Sequence, residues 1–210
     1  MQLVLFGPTG MIGSRILTEA LSRGHSLTAV TRDPSRLAID HKNLTAVAGD
    51  VLDPASVAAV THGHDAVLSA IGSSGAAVEV IVNAARSLVA GLSSGQVRRL
   101  VVVGGAGVLD IEPGVQFVDS PNFFAAYRPL ALAHRDAYNL YQASNLDWTF
   151  IAPAAEIAPG ERTGQFRVGA DQLLVNSQGE SRISAEDYAI ALMNEVEQPK
   201  YIHQRMTVAY

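Results

Sequence analysis

The sequence predicts an α/β protein: a doubly wound, parallel central sheet flanked by helices, with a small C-terminal cap. Two observations lead there. Leu3 to Phe6 are apolar and run into Gly7, Gly10 and Gly13 at three-residue steps, and an apolar-periodic segment continues from Met11. Downstream, short apolar runs alternate with segments of helical period as far as Pro153, the order that gives parallel strands joined by helical crossovers. The first stretch also carries chemistry. A glycine turn between strand and helix lets backbone approach a pyrophosphate, and the helix N-terminus offers amide donors and the positive end of a dipole. The spacing G-x-x-G-x-x-G varies the familiar G-x-G-x-x-G, so its place after a strand and before a helix decides the reading. A βα connection that merely favours glycine is the plainer alternative; three glycines around one turn argue against it.

The elements follow in order. A helix is expected over 11–23, with Ile12, Ile16, Leu17 and Leu21 on one face and Gly24 placed to end it. The second strand, 26–30, leads to Thr31-Arg-Asp-Pro-Ser-Arg-Leu37. In this fold an acid after the second strand takes the ribose hydroxyls of NAD, whereas an Arg meets the 2′-phosphate of NADP. Arg32 holds that place, with Arg36 a helical turn further on. Asp33, 20 residues after Gly13, is the alternative as the NAD acid, but before Pro34 it reads rather as an N-cap with proline at the first helical position. A solvated surface charge is the alternative for Arg32. The third strand is 44–48, and Asp53 with Pro54 repeats the cap signal before a helix over 54–60. Asp50 and Val51 stand where this fold packs its adenine. His62 and His64 lack a third ligand nearby and read as a polar turn, not a metal site.

The fourth strand, 66–70, ends in a small-residue loop, 71–75, with room for a cofactor. A helix over 76–92 aligns Val78, Ile81, Val82, Ala85, Leu88, Val89 and Leu92 on one core stripe. The fifth strand, 100–103, runs into Gly104, and 108–129 reads as loop carrying Phe117, Phe123, Phe124 and Tyr127. A loop of that length after a central strand is usually functional. A helix over 130–144 leads to the sixth strand, 147–151, where Trp148 and Phe150 are core. Then come a loop to 164, a short strand within 166–176, a capping box at Ser184-Ala-Glu-Asp187 opening a helix to about 195, and a strand at 206–209. Residues 154–210 are expected as a substrate-side cap over the sheet's carboxyl edge, within a single domain of 1–210.

Composition narrows the partners. The 210 residues are 48% hydrophobic and 17% charged, a globular balance. A net charge of −5 argues against nucleic acid or an anionic membrane as partner. With no cysteine, disulfides, thiolate chemistry and Cys-ligated zinc are excluded. The first residues enter a strand with no basic leader, and no apolar run is long enough to span a bilayer, so the expectation is a cytoplasmic protein.

With these residues in hand, the chain resembles the atypical short-chain dehydrogenase/reductases. More narrowly it is similar to the biliverdin reductase B and NADH-flavin reductase group, close to the NmrA-like proteins. The resemblance rests on Gly7-Pro-Thr-Gly-Met-Ile-Gly13, Thr31-Arg-Asp-Pro-Ser-Arg-Leu37, Gly49-Asp-Val51, Asp147-Trp-Thr-Phe-Ile-Ala-Pro153 and Ile183-Ser-Ala-Glu-Asp187, which span nearly the whole chain. It implies a Rossmann fold and a nucleotide site of Gly7, Thr9, Gly10, Met11, Ile12, Arg32, Arg36, Asp50, Val51, Ala70, Ile71 and Gly72, with Gly13 and Gly104 beside it. Arg32 after Thr31 implies NADP, with NAD the alternative.

The reacting end departs from the wider superfamily, whose members use Ser and a Tyr-x-x-x-Lys pair. Lys42 and Lys200 are the chain's two lysines, and neither follows a Tyr by four. The family's spacing before Pro153 puts Leu130 in the place of Tyr and His134 in the place of Lys; Gly104 and Gly105 stand where Ser is common. His134, then Tyr127, then Tyr138 are the candidates near the nicotinamide or the acceptor, each with packing or solvent as its alternative. Glu156 and Arg162 are candidates to line an acceptor pocket, or plain solubilising charges. Reducing an unactivated ketone needs a positioned proton donor, worth roughly 10²–10⁴-fold. A flavin or quinone can take its protons from water and needs mainly juxtaposition with the nicotinamide. The expectation is therefore NADPH-dependent reduction of a small flavin- or quinone-type acceptor. An NmrA-like redox sensor that binds NAD(P) without turnover is the second reading. Epimerase chemistry is the weakest, since it needs the missing Tyr. The oligomeric state is left open.

Overall fold

A computed structural model of the chain describes residues 1–37, 39–73 and 77–210. β1 (Gln2–Phe6), β2 (Ser26–Thr31), β3 (Leu44–Ala48), β4 (Ala66–Ser69) and β5 (Arg99–Val103) alternate with α1 (Met11–Ser22), α2 (Pro54–Thr61) and α3 (Glu79–Ser93). After β5 come β6 (Asp110–Glu112), β7 (Val115–Gln116), α4 (Arg128–Gln142) and β8 (Asp147–Ala152). The chain closes with β9 (Glu156–Ala158), β10 (Arg167–Gly169), β11 (Arg182–Ser184), α5 (Ala185–Glu197) and β12 (Gln204–Ala209). The main sheet has eight strands in the order β10-β12-β8-β5-β4-β1-β2-β3. All its pairs are parallel except that of the edge strand β10 with β12. The fold is a Rossmann-like α/β fold, and its strand order reverses between β1 and β4. Such sheets bind ligands outside the carboxyl ends of their strands at that reversal.

Helices on both faces explain why the strands read as unbroken apolar runs. Leu3 and Leu5 join the core cluster shared with α1 and α5, while Val4 and Phe6 join the one shared with α3 and α4. All four are at most 1% exposed. α1 stops at Gly24, whose φ of +80° lets its amide donate to the Leu21 carbonyl and that of His25 to the Ala20 carbonyl. α2 and α3 touch through Gly91, where a Cβ would stand 2.7 Å from the Pro54 carbonyl oxygen.

Three expectations change. The helix placed over 76–92 is α3, from Glu79; its predicted start at Ala76, and Ser74 and Gly75 of the loop before it, lie outside the described residues. The supposed loop 108–129 contains the antiparallel β6–β7 hairpin, whose strands are too short to show a period. The tail is only partly a cap. β12 pairs with β8 inside the main sheet, and α5 packs its apolar face into the cluster under α1. β10 also joins the main sheet beside β12, and what remains after β8 are the loops around β9 and β11, which pair in a separate two-stranded ribbon. Glu195 of α5, 3% exposed, accepts from Arg99 at 2.9 Å, from Thr149 Oγ1 at 3.0 Å and from the Lys200 amide at 2.9 Å. This buried network ties α5 to β5 and β8. Among the described residues, no helix is long and apolar enough to cross a membrane.

Candidate functional site

The carboxyl ends of β1 and β4 meet at the glycine turn. Gly7 has a φ of +81°, and a Cβ there would lie 2.6 Å from the Ala70 carbonyl oxygen. A Cβ at Gly13 would overlap the Gly7 carbonyl oxygen. Both positions need glycine for the packing of the turn itself. Gly10 is different: a Cβ would meet nothing nearer than the Gly7 carbonyl oxygen at 3.7 Å, so its bare Cα faces open space. Gly10 is the N-cap of α1, with no side-chain cap and no acidic residue in the first turn. The first amides of a helix, here those of Met11 and Ile12, have no intrahelical acceptor, and Thr9, Gly10 and Met11 are exposed. Free donors, a positive dipole end and an unobstructed Cα fit the pyrophosphate of a dinucleotide.

Along the same edge, the Gly49 amide donates to the Thr31 carbonyl at 3.1 Å, which brings Asp50 and Val51 beside Arg32. Asp33 caps the 3-10 turn Pro34–Arg36, accepting from the Ser35 amide at 3.2 Å and from Ser35 Oγ at 2.6 Å. Its carboxylate is engaged in the turn. Arg32 and Arg36 are exposed, and among the described residues neither forms an ion pair. Asp50 accepts from the Leu52 amide at 2.9 Å, and Val51 and Ile71 pack on the same core cluster. The Ala70 amide donates to the Phe6 carbonyl, and Gly72 is exposed with open space around its Cα. The turn thus gathers Gly7, Thr9, Gly10, Met11, Ile12, Gly13, Ala70 and Ile71, with Arg32, Arg36, Asp50 and Val51 further along the edge.

The reacting end is less coherent. His134 is 9% exposed and packs on Gly105, where a Cβ would come within 2.9 Å of its ring. Burial pushes its pKa down to about 4, so it is neutral at pH 7. Tyr138 does not reach this edge. It is 8% exposed, its ring 5.7 Å from Trp148 and 5.1 Å from Phe150, and its hydroxyl accepts from Gln142 Nε2 at 3.2 Å. It sits one turn below His134 on the face of α4 that meets the sheet, so the helix carries it into the core. Tyr127, at the other extreme, is 61% exposed at the start of α4. At Gly104 the space its missing side chain leaves is filled by the Phe150 ring.

Both charges proposed for an acceptor pocket stay more than half exposed, and each forms an ion pair. Glu156 pairs with Arg182 at 3.3 Å. Arg162 donates from Nε and Nη2 to the two oxygens of Glu19 on α1, each at 3.0 Å. Burial works against ionising Glu19, but Arg162 and Arg23 outweigh it and hold the carboxyl below its usual range. Asp187, fully buried, accepts from Thr163 Oγ1, from the Gly164 amide at 2.8 Å and from the Tyr210 hydroxyl at 2.9 Å. The sequence signal for it was the fourth residue of the capping box, but only half of that box forms. Ser184 Oγ accepts from the Asp187 amide at 3.0 Å, while the Ser184 amide donates to Tyr210 instead. Among the described residues, no three His, Cys, Asp or Glu side chains come together to hold a metal. Two depressions of about 620 and 470 Å³ lie away from the glycine turn, one beside Trp148 and His203 and the other beside Ser184 and Tyr210.

Comparison with known proteins agrees with the turn. The model of a family described as NAD(P)H-binding matches residues 7–199. The Bacillus subtilis protein YwnB is 35% identical over 212 residues, covering 99% of this chain and 98% of its own. A crystal structure from Burkholderia pseudomallei, provisionally named an exported protein, is 52% identical, with a TM-score of 0.93 and 100% of both chains covered. Another from Streptococcus pneumoniae, provisionally named an NADH-flavin reductase, is 30% identical, with a TM-score of 0.87 over 100% of this chain and 99% of that one.

Proposed function

The chain belongs to the NAD(P)H-binding family, and on that premise we propose that it is an NADPH-dependent reductase of a flavin, quinone or related conjugated acceptor. One contrast carries the reading: a cradle with free donors at Met11 and Ile12 and, among the described residues, unpaired cations at Arg32 and Arg36 faces an edge where the buried candidates offer no poised acid. His134 is neutral and buried, and Tyr138 lies in the core. When bound, the reduced nicotinamide supplies a hydride to the acceptor, is itself oxidised by two electrons, and the acceptor draws its further proton from water. The chain's own part is to bind and orient. The amides of Met11 and Ile12 receive the pyrophosphate, Arg32 and Arg36 receive the 2′-phosphate, and Gly7 and Gly13 keep α1 close enough to the sheet for both. Such juxtaposition suffices for an acceptor that needs no positioned acid. We place the protein in the cytoplasm, where NADPH is available.

The test is to mix the protein with NADPH and, in turn, FMN, riboflavin and menadione, following the nicotinamide absorbance. Decay above the protein-free rate, faster with NADPH than with NADH, is the expected result. No decay with any acceptor, while NADPH still binds tightly, would replace the reductase with the redox-sensor reading.

A further inference from the structure

The segment between β7 and α4 spends several interactions on holding itself in place. Arg128 donates to the Val118 carbonyl at 2.6 Å and to the Ser120 carbonyl at 3.3 Å, and its guanidinium lies 5.6 Å from the centre of the Phe123 ring. Phe123 meets Phe117 edge-on at 4.9 Å. Arg135 of α4 reaches back to both oxygens of Asp119 at 3.0 Å. Yet this braced segment leaves Phe124 66% and Tyr127 61% exposed, with their rings 5.5 Å apart and the Tyr127 amide donating to the Phe124 carbonyl. Two adjacent aromatic rings, kept out of the core by a rigid support, have most of their apolar area in water. Exposed aromatic surface on a fixed loop is the usual material of a recognition site.

The place of this pair is set by its neighbours. The chain leaves the carboxyl end of β5 through Gly105 and Gly107, which pack against His134 and Ala131 on the first turns of α4. Tyr127 is the residue just before α4 begins. The rings therefore stand at the carboxyl edge beside β5, on the nicotinamide side of the switch point and away from Arg32.

We infer that Phe124 and Tyr127 form a stacking platform for the planar ring of a conjugated acceptor. The inference rests on the reductase reading for the identity of the ring, and on the braced loop for the platform. Tyr127 then acts through its ring face, not as a proton donor. The rings are tilted 55° to each other, so a flat, electron-poor ring system lies on the face of one and meets the edge of the other, contacts that need no hydrogen-bond readout.

Flavin fluorescence tests this without turnover. Wild-type protein saturated with NADP⁺ is titrated into riboflavin and into FMN, and quenching by the aromatic platform reports binding. Phe124→Leu and Tyr127→Leu should each weaken the titration by about tenfold, while Tyr127→Phe stays within twofold of wild type. Thermal midpoints and NADPH affinity should be unchanged in all three, since both side chains are exposed. Absence of quenching with wild type, or unchanged quenching in both Leu variants, would overturn the platform. So would an equal loss in Tyr127→Phe and Tyr127→Leu, because the hydroxyl would then be the contributor. Quenching with wild type and its loss in the Leu variants, but no NADPH consumption with any acceptor, would keep the platform and remove the reductase.

Discussion

In the proposed NADPH reading, Arg32 bears on a distinction of one phosphate. It is exposed and unpaired among the described residues, and its neighbour Asp33 is occupied by Ser35. A hydrogen bond to a charged group contributes about 1.5–3 kcal/mol, so Arg32→Ala should weaken NADPH binding by roughly ten- to a hundredfold. NADH binding should change little. Equal weakening of both in parallel titrations would remove Arg32 from cofactor choice. At this scale the sequence was uneven. Asp33 and Asp53 can be assigned as caps because the acid, the proline and the amide donor are adjacent in the chain. Each does accept from the residue two positions on. Arg162, Tyr138 and Gly104 could not be placed, because what each meets lies far off in sequence: Glu19, Trp148 and Phe150. Only the folded chain brings them together.

The glycine turn behaves as an element and not as three equivalent residues. A Cβ at Gly13 overlaps backbone, which cannot swing aside as a flexible side-chain end would. Gly13→Ala should therefore cost about 1–3 kcal/mol of stability, visible as a lower urea midpoint. Gly10→Ala should leave that midpoint unchanged and weaken NADPH binding about tenfold, since only an approaching phosphate would meet the added methyl. If Gly10→Ala bound NADPH as wild type does, the cradle would not be where the pyrophosphate lies. The elements themselves were legible wherever four or more residues kept a period. β1 to β5, β8 and α1 to α5 fall close to where the sequence pattern puts them. β6, β7, β9 and β11, of two or three residues each, carry no period to read. They exist because neighbouring segments offer them partners, as Ser181 does by accepting from the Glu156 amide through its carbonyl at 2.9 Å.

The whole molecule should lose stability in acid in two stages. His134 is pushed to a pKa of about 4 in the fold, against roughly 6.5 when free. Between those values the unfolded chain holds a proton that the folded chain refuses, so stability falls as pH drops from about 6.5 to 4, by about 3 kcal/mol at most. Glu19 and Glu197 are held below the usual range despite burial, Glu19 by Arg162 and Arg23 and Glu197 by His25 and Arg23. Their contribution is complete above the free value of roughly 4.3 and is lost as pH falls through the lower folded values. Urea midpoints at pH 7, 5.5, 4 and 3 should show both stages, and His134→Leu should flatten the first alone. A wild-type midpoint that holds constant from pH 7 to 4 would show that His134 is protonated as easily folded as free.

The pairing of Glu19 with Arg162 also joins parts of the molecule that the chain keeps 143 residues apart. α1 carries the cradle at one end and the Glu19 anchor near the other, while Arg15 holds Glu186, which in turn accepts from the Gly160 amide at 2.8 Å. The segment around 160–164 is thus leashed to α1 more than to β8, from which it emerges. When NADPH stills α1, slowed amide exchange should spread to Gly160 and Gly164, and Glu19→Gln should lessen it near Arg162 while leaving it at Gly160, which Arg15 and Glu186 still tie to α1.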